Sequence, residues 1–229
     1  MQNLSFPPVK VENVRLPLRE EEGDFKCERL SFRNILFEDL EGFIRKGKVF
    51  LINLNFVLYR GKGRAKIFLS DIPENPDIII YFKVRNLNLS EFSTSINKQI
   101  YISGLMNIEG EFKLQDKEGQ VIFETVDKRG IKKFMNFGAV KAVMALANEN
   151  PVKQMAGANF SYRKIKGKIS VRKKYLTIEG LAGKKGENQF IVKGNPFGTS
   201  INILVHGRTN TIRLKDFKKR IKNALTAIR

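Results

Sequence analysis

Scarcity marks this chain before any motif does. Among 229 residues there is one cysteine, Cys27, and one histidine, His206. A single thiol closes no internal disulfide and no clustered metal site, and a single imidazole leaves zinc needing an unusual set of carboxylates. Cys27 therefore reads as a small core residue that reveals nothing of the redox compartment. No nucleophile elbow and no Cys/His pair occur. Carboxylates nearly vanish after residue 127, so paired acid and base chemistry is confined to the first half, where Glu20, Glu21 and Glu22 read as a charged loop. Gly61-Lys62-Gly63 lacks the spacing and ending of a phosphate loop and reads as a hairpin turn. The expectation is a protein that is not an enzyme, with no catalytic residue, metal or cofactor.

Long apolar runs are missing as well. No stretch of about 18 consecutive apolar residues exists, and Met1 to Lys10 carries neither the basic head nor the apolar core of a secretory signal. The chain reads as soluble; if the protein is exported, the expectation is either a fragment whose signal or anchor lies upstream or secretion by another route. With 42% hydrophobic residues it is nevertheless able to bury a core in one large domain or two small ones, which excludes disorder throughout.

The net charge of +19 is unevenly spread. Residues 1–46 hold 8 basic and 9 acidic side chains, 47–127 hold 10 and 10, and 128–229 hold 24 and 4, giving −1, 0 and +20. A lysine-rich surface alone does not explain a neutral first half. The basic excess points to an anionic partner near the C-terminus, either phosphate-bearing lipid or nucleic acid. Two domains are expected, a β-rich groove segment at 1–127 and, at 128–229, a helix followed by a basic meander and a tail helix.

What is present in abundance is alternation. In 48–59 the even positions Phe50, Ile52, Leu54, Phe56 and Leu58 are apolar, and in 77–85 so are Ile78, Ile80, Phe82 and Val84. Met106, Ile108, Phe112 and Leu114 repeat the pattern in 103–114, and Ile165, Ile169 and Val171 alternate with Lys164, Lys166, Lys168 and Ser170 in 162–171. Weaker segments fall near 9–18, 24–33, 36–46, 64–70, 120–126, 175–181, 188–194 and 200–206, for about a dozen strands. Short turn signals at 61–63, 117–119, 172–174, 183–186 and 195–198 join antiparallel neighbours, because a parallel crossover needs many more residues.

Two longer segments depart from period two. Asp127 is placed to cap a helix over about 128–148, where Ile131, Phe134, Met135, Gly138, Ala142, Ala145 and Leu146 recur at helical spacing. The tail from Leu214 to Ile228 sets Leu214, Phe217, Ile221, Leu225 and Ile228 on one stripe beside lysines. A short helical turn is expected at Leu89 to Ser95. Two helices cannot cover the apolar face of about a dozen strands, so that face meets a second sheet, curls on itself or meets a ligand.

The segment "ANFSYRKIKGKISVRKKYLTIEGLAGKKGENQFIVKGNPFGTSINILVHG", from Ala158, resembles the C-terminal repeat of the AsmA and TamB group of bacterial envelope proteins. It has an aromatic-led strand from Phe160 to Gly167, "I-x-V" at Ile169 and Val171, "L-x-I-x-G-L" from Leu176 to Leu181, and "V-K-G" from Val192 to Gly194. "L-N-L" at Leu87 to Leu89 and "S-G-L-M-N-I-E-G-E-F" at Ser103 to Phe112 are similar to other parts of that group. The likeness extends over about residues 30–220, without the N-terminal anchor and at far less than the group's length.

Periodicity and turn chemistry give a mainly β fold with one internal helix and a C-terminal amphipathic helix, and the resemblance implies that its antiparallel sheet is long and curved, an open groove. It implies a non-enzymatic lipid carrier in the cell envelope or periplasm, membrane-associated, whose groove shields phospholipid acyl chains. Phe50, Ile52, Leu54, Phe56, Leu58, Ile78, Ile80, Phe82, Met106, Ile108, Ile165 and Ile169 are the expected lining; the same residues suit a closed double layer equally well. Lys164, Lys166, Lys168, Phe217, Lys218, Lys219, Ile221 and Lys222 are the expected contacts to an anionic lipid or membrane surface. Envelope proteins are a further partner class. A nucleic-acid surface built on the lysine ladder with Tyr162 and Tyr175 ranks below lipid, because few aromatics interleave with the basic residues. A structural assembly scaffold pairing through sheet edges is the third reading.

Overall fold

A computed structural model describes residues 2–6, 9–15, 22–32, 35–45, 49–70, 77–96, 98, 100–139, 159–180, 188–194, 201–207, 210–213, 216 and 219. The protein is mainly β. Its strands are β1 (Gln2–Phe6), β2 (Val9–Arg15), β3 (Glu22–Phe32), β4 (Ile35–Arg45), β5 (Val49–Leu58), β6 (Gly61–Ser70), β7 (Asp77–Asn88), β8 (Leu105–Lys113), β9 (Glu118–Val126), β10 (Phe134–Asn136), β11 (Asn159–Lys164), β12 (Lys166–Arg172), β13 (Tyr175–Gly180), β14 (Asn188–Gly194), β15 (Ile201–Gly207) and β16 (Asn210–Arg213). One helix, α1 (Leu89–Ile96), follows β7. The chain divides into two compact units, Met1–Leu87 with Ile108–Gly119, and Asn88–Asn107 with Gln120–Arg229.

The first unit is an antiparallel meander in which β1 to β8 lie side by side in chain order, so the sheet does not close on itself at β1. Tyr59 and Arg60, at φ 46° and 61°, make the two-residue turn between β5 and β6, the twist-matched hairpin geometry. Gly61 and Gly63, expected in that turn, are instead the first residues of β6. A Cβ on Gly63 would lie 2.1 Å from the Phe56 ring, its partner across the hairpin, and one on Gly61 2.8 Å from the Leu87 backbone. Close approach, and not turn conformation, is what these glycines permit.

A line of polar residues at positive φ, Asn13, Asp39 and Asn86, interrupts β2, β4 and β7. At Asp39 the register slips, two steps on β5 matching three on β4 between Glu38 and Glu41. Such a bulge shifts side-chain parity by one, so the inward positions of β4 change from Phe37 to Leu40, Gly42 and Ile44. A β7 switch accompanies Asn86, with Val84 buried before it and Leu87 after it.

In the second unit the strands run β9-β12-β13-β16 and β10-β11-β14-β15. Asn88 caps α1, its Oδ1 accepting from the Ser90 and Glu91 amides at 2.9 and 3.4 Å while its Nδ2 donates to Glu91, a variant of the capping box. The helix expected from Asp127 begins later. Residues 134–136 form β10, because Ser103 holds them: its backbone N–H donates to the Phe134 carbonyl and its Oγ accepts the Phe134 N–H. Asn136 then caps the helical residues 137–139 by accepting the Ala139 N–H at 2.9 Å, and the expected continuation to 148 lies outside the described residues. Asp127 pairs with Lys133 instead.

Candidate functional site

The best-developed chemical feature of the first unit is one face of its sheet. Directly opposed residues on antiparallel strands share a face, and their register assembles rows of apolar side chains. Ile44, Ile52, Ile67 and Ile80 make one row across β4 to β7; Phe25, Gly42, Leu54, Ala65 and Phe82 make the next; Leu30, Phe37, Leu58 and Gly61 make another. Phe50, Leu69 and Ile78 extend the face toward the start of β5. Phe82 stacks with Phe112 of β8 at 6.0 Å between centroids, and Phe37 meets Phe56 edge-on at 5.4 Å. The eight expected lining residues on β5 and β7 are therefore all brought together, with Ile108 of β8 in the same unit.

Burial on this face is graded. Phe25, Cys27, Leu40, Phe56, Ala65 and Val84 are buried, along the line of the bulge. Phe50, Ile52, Leu54, Ile67, Leu69, Ile78, Ile80 and Phe82 are only half-buried. Among the described residues the first unit contains one sheet and turns, with no second layer of its own to seal that face. Burial also raises the Cys27 thiol pKa, and its S–H donates to the Arg29 carbonyl at 3.2 Å.

The other expected lining residues belong to the second unit. Met106 is buried, Ile169 is half-buried on β12, and Ile165 sits between β11 and β12. Ile165 exchanges hydrogen bonds with Thr125, which donates its N–H to the Ile165 carbonyl and accepts the Ile165 N–H on Oγ1. This exchange splits the lysine ladder expected on one strand: Lys164 ends β11, whereas Lys166 and Lys168 belong to β12, in different sheets. Lys164 and Lys166 both pair with Glu124, whose carboxyl is held below its usual pKa first by the Lys164 hydrogen bond. Of the expected tail contacts, Lys219 is helical and exposed, and Phe217, Lys218, Ile221 and Lys222 lie outside the described residues.

Sequence reasoning passed over Ala65, Ile67 and Leu69 of β6 as lining, and Phe25, Leu40 and Ile44 of β3 and β4. Alternation in Gly61-Lys62-Gly63-Arg64-Ala65-Lys66-Ile67 was the available signal, disguised by small residues that make room for Phe56. The opposite face was missed too. Lys62, Arg64, Lys83 and Arg85 line an open cleft of about 690 Å³ there, with Asp39, Glu41, Asn55 and Val57. A neighbouring cleft of about 420 Å³ shares Glu41 and Asn55 and reaches Asp24, Lys26, Phe43 and Asn53.

In the second unit Tyr162 is buried, donating its hydroxyl to the Ser103 carbonyl at 2.5 Å. Burial, followed by the charge of Asp127, raises its pKa well above the ordinary tyrosine value. Its partners are structural hydrogen bonds, and among the described residues no group of three or more His, Cys, Asp or Glu side chains is placed to hold a metal ion. No described helix is long and apolar enough to cross a membrane. No family model, no curated protein and no solved structure gives a significant match to this chain.

Proposed function

We propose that this protein is a non-enzymatic lipid-binding protein whose first unit shields acyl chains on its apolar sheet face, acting in lipid transfer in a bacterial cell envelope. The observation that carries the reading is the continuous set of cross-strand apolar rows on β4 to β7, most of whose members remain half-buried. Isolated apolar residues at a surface need no explanation, whereas contiguous rows of Ile, Leu and Phe left partly open in water do. Acyl chains need a dry surface and no reactive group, which suits a face where apolar side chains are contiguous and the charged side chains of β4 to β7 point to the other side. Envelope placement follows from the resemblance of the segment beginning at Ala158.

Native purification from bacteria, solvent extraction and mass spectrometry test the proposal, together with uptake of labelled phospholipid from vesicles. Co-purified lipid near one or more equivalents, and uptake lost on Ile52→Asp, are expected. A lipid-free monomer that takes up no labelled phospholipid overturns it.

A further inference from the structure

On the opposite face of the first unit, two rows of side chains cross from acid to base. One runs Glu41, Asn55, Arg64 and Lys83 over β4, β5, β6 and β7, each the register partner of the next; the other runs Glu38, Val57, Lys62 and Arg85. Asp39, in the bulge between the two acids, joins Glu41 as one wall of the 690 Å³ cleft, and the four cations form the other. Lys62 faces Arg85 and Arg64 faces Lys83 directly across the ladder, an arrangement of like charges that destabilises a sheet. Lys83 is partly neutralised by Glu109 at 2.8 Å and Glu41 by Lys26 at 3.8 Å, both exposed pairs. Among the described residues, Lys62, Arg64 and Arg85 form no ion pair within 4.0 Å, nor does Asp39.

Adjacent strands lie about 4.8 Å apart, so the acidic wall on β4 stands about 10 Å from the basic wall at β6 and about 14 Å from it at β7, measured at the backbone. Lys62, Arg64, Lys83 and Arg85 nevertheless line the same cleft as Asp39 and Glu41. An occupant that relieves both walls is bipolar, with an anion and a cation a few ångströms apart. We infer that this cleft binds an amine-bearing phosphate ester, its phosphate against Lys62, Arg64 and Arg85 and its ammonium against Asp39 and Glu41. Three cations without a salt-bridge partner match a phosphate's charge better than a carboxylate's, and guanidinium forks grip phosphate oxygens in pairs. A nucleic-acid strand fits poorly: among the described residues the only aromatic one lining the cleft is Phe56, whose ring is turned to Gly63 on the other face, and the acidic wall repels a continuing phosphate chain. The site stands whether or not the apolar face holds lipid. A free phosphoamine and a lipid headgroup offer the same chemistry.

Calorimetric titration at low ionic strength with phosphoethanolamine, inorganic phosphate and ethanolamine tests this on the whole chain. Phosphoethanolamine is expected to bind about ten-fold more tightly than inorganic phosphate, one added charge-assisted contact. Arg64→Gln with Arg85→Gln should weaken both at least ten-fold. Asp39→Asn with Glu41→Gln should remove only the preference, leaving phosphate binding in place; asparagine tolerates the φ of 48° at position 39. Displacement of bound phosphoethanolamine by phosphatidylethanolamine vesicles, and not by phosphatidylglycerol vesicles, assigns a lipid headgroup as the source; failure of both assigns a soluble ester. Equal affinity of the wild-type chain for phosphate and phosphoethanolamine, or stronger competition by a single-stranded oligonucleotide, overturns the inference without any variant needing to fold.

Discussion

Replacing Ile67 with Asp distinguishes a face left open for a ligand from the inside of a sealed core. Ile67 lies between Ile52 and Ile80 in register and is half-buried. Full burial of an isoleucine contributes about 1.5–3 kcal/mol, and Ile67, with most of its surface covered, keeps about 1–2 kcal/mol of it. Aspartate's poor fit to a strand adds up to about 1 kcal/mol, and a carboxylate on an open face stays hydrated. The expected loss is thus about 2–3 kcal/mol. Val84, 1% exposed on the same face, is the internal standard. Aspartate there strands a short, unpaired charge in a dry site, costing about 4 kcal/mol or more. Urea unfolding of both variants at pH 7 measures the difference, and lipid content should fall in Ile67→Asp while the chain stays folded. Equal losses for the two substitutions refute an open face.

Three further outcomes follow from single contacts. Tyr162→Phe should cost about 1–2 kcal/mol by orphaning the Ser103 carbonyl; because the native hydroxyl holds its proton more tightly than in the unfolded chain, its share of stability is complete below about pH 10 and lost as pH rises further, so the alkaline limb of a pH–stability profile should flatten in the variant. Gly63→Ala should cost about 1–3 kcal/mol by driving a methyl into the Phe56 ring, and a double-mutant cycle with Phe56→Ala should show the second change relieving the first; additive losses contradict the register of β5 and β6. Cys27, buried and with its thiol pKa raised, should react with iodoacetamide no faster than the protein unfolds, judged by labelling rate against urea.

The strands most legible in the sequence were those with large alternating residues. Phe50 to Leu58 and Ile78 to Val84 announce β5 and β7, whereas β6 hides its inward face behind Gly61, Gly63 and Ala65, the two glycines being small because the Leu87 backbone and Phe56 crowd them. Apolar spacing at 131–146 read as one helix from Asp127, yet 134–136 are drawn into a strand by Ser103, a residue about 30 positions away. Local periodicity holds no information about such a partner. The lysine ladder failed for the same reason: Thr125 breaks it at Ile165. Parity also changes at Asp39 and Asn86, where a positive φ moves the inward set from even to odd or back, so one strand cannot be read with one phase. The charged cleft was invisible because 10 acidic residues offset 10 basic ones over 47–127. Net charge per segment averages away what alternation concentrates on one face.

The charged face is itself zoned, and its zoning bears on what the cleft holds. Four residues along each strand from Asn55, Arg64 and Lys83, about 13 Å away, the register brings Leu51, Phe68 and Ile79 side by side. Phe68 meets Tyr81 edge-on at 6.0 Å, and Tyr81 is exposed. At this end Ile78, Ile79 and Ile80 are all half-buried, giving the sheet apolar side chains on both faces where a one-sided sheet alternates. A headgroup seated against Arg64 and Arg85 therefore has an apolar strip on its own face within reach of an acyl chain. The trough formed by Ile52, Ile67 and Ile80 lies on the other side of the backbone. Phe68→Asp separates these paths. It should weaken competition by phosphatidylethanolamine vesicles while leaving soluble phosphoethanolamine affinity within about two-fold, since it touches neither wall of the cleft. If vesicle competition is unchanged in Phe68→Asp but lost in Ile67→Asp, the chains run on the far face, and the cleft and the trough serve different molecules.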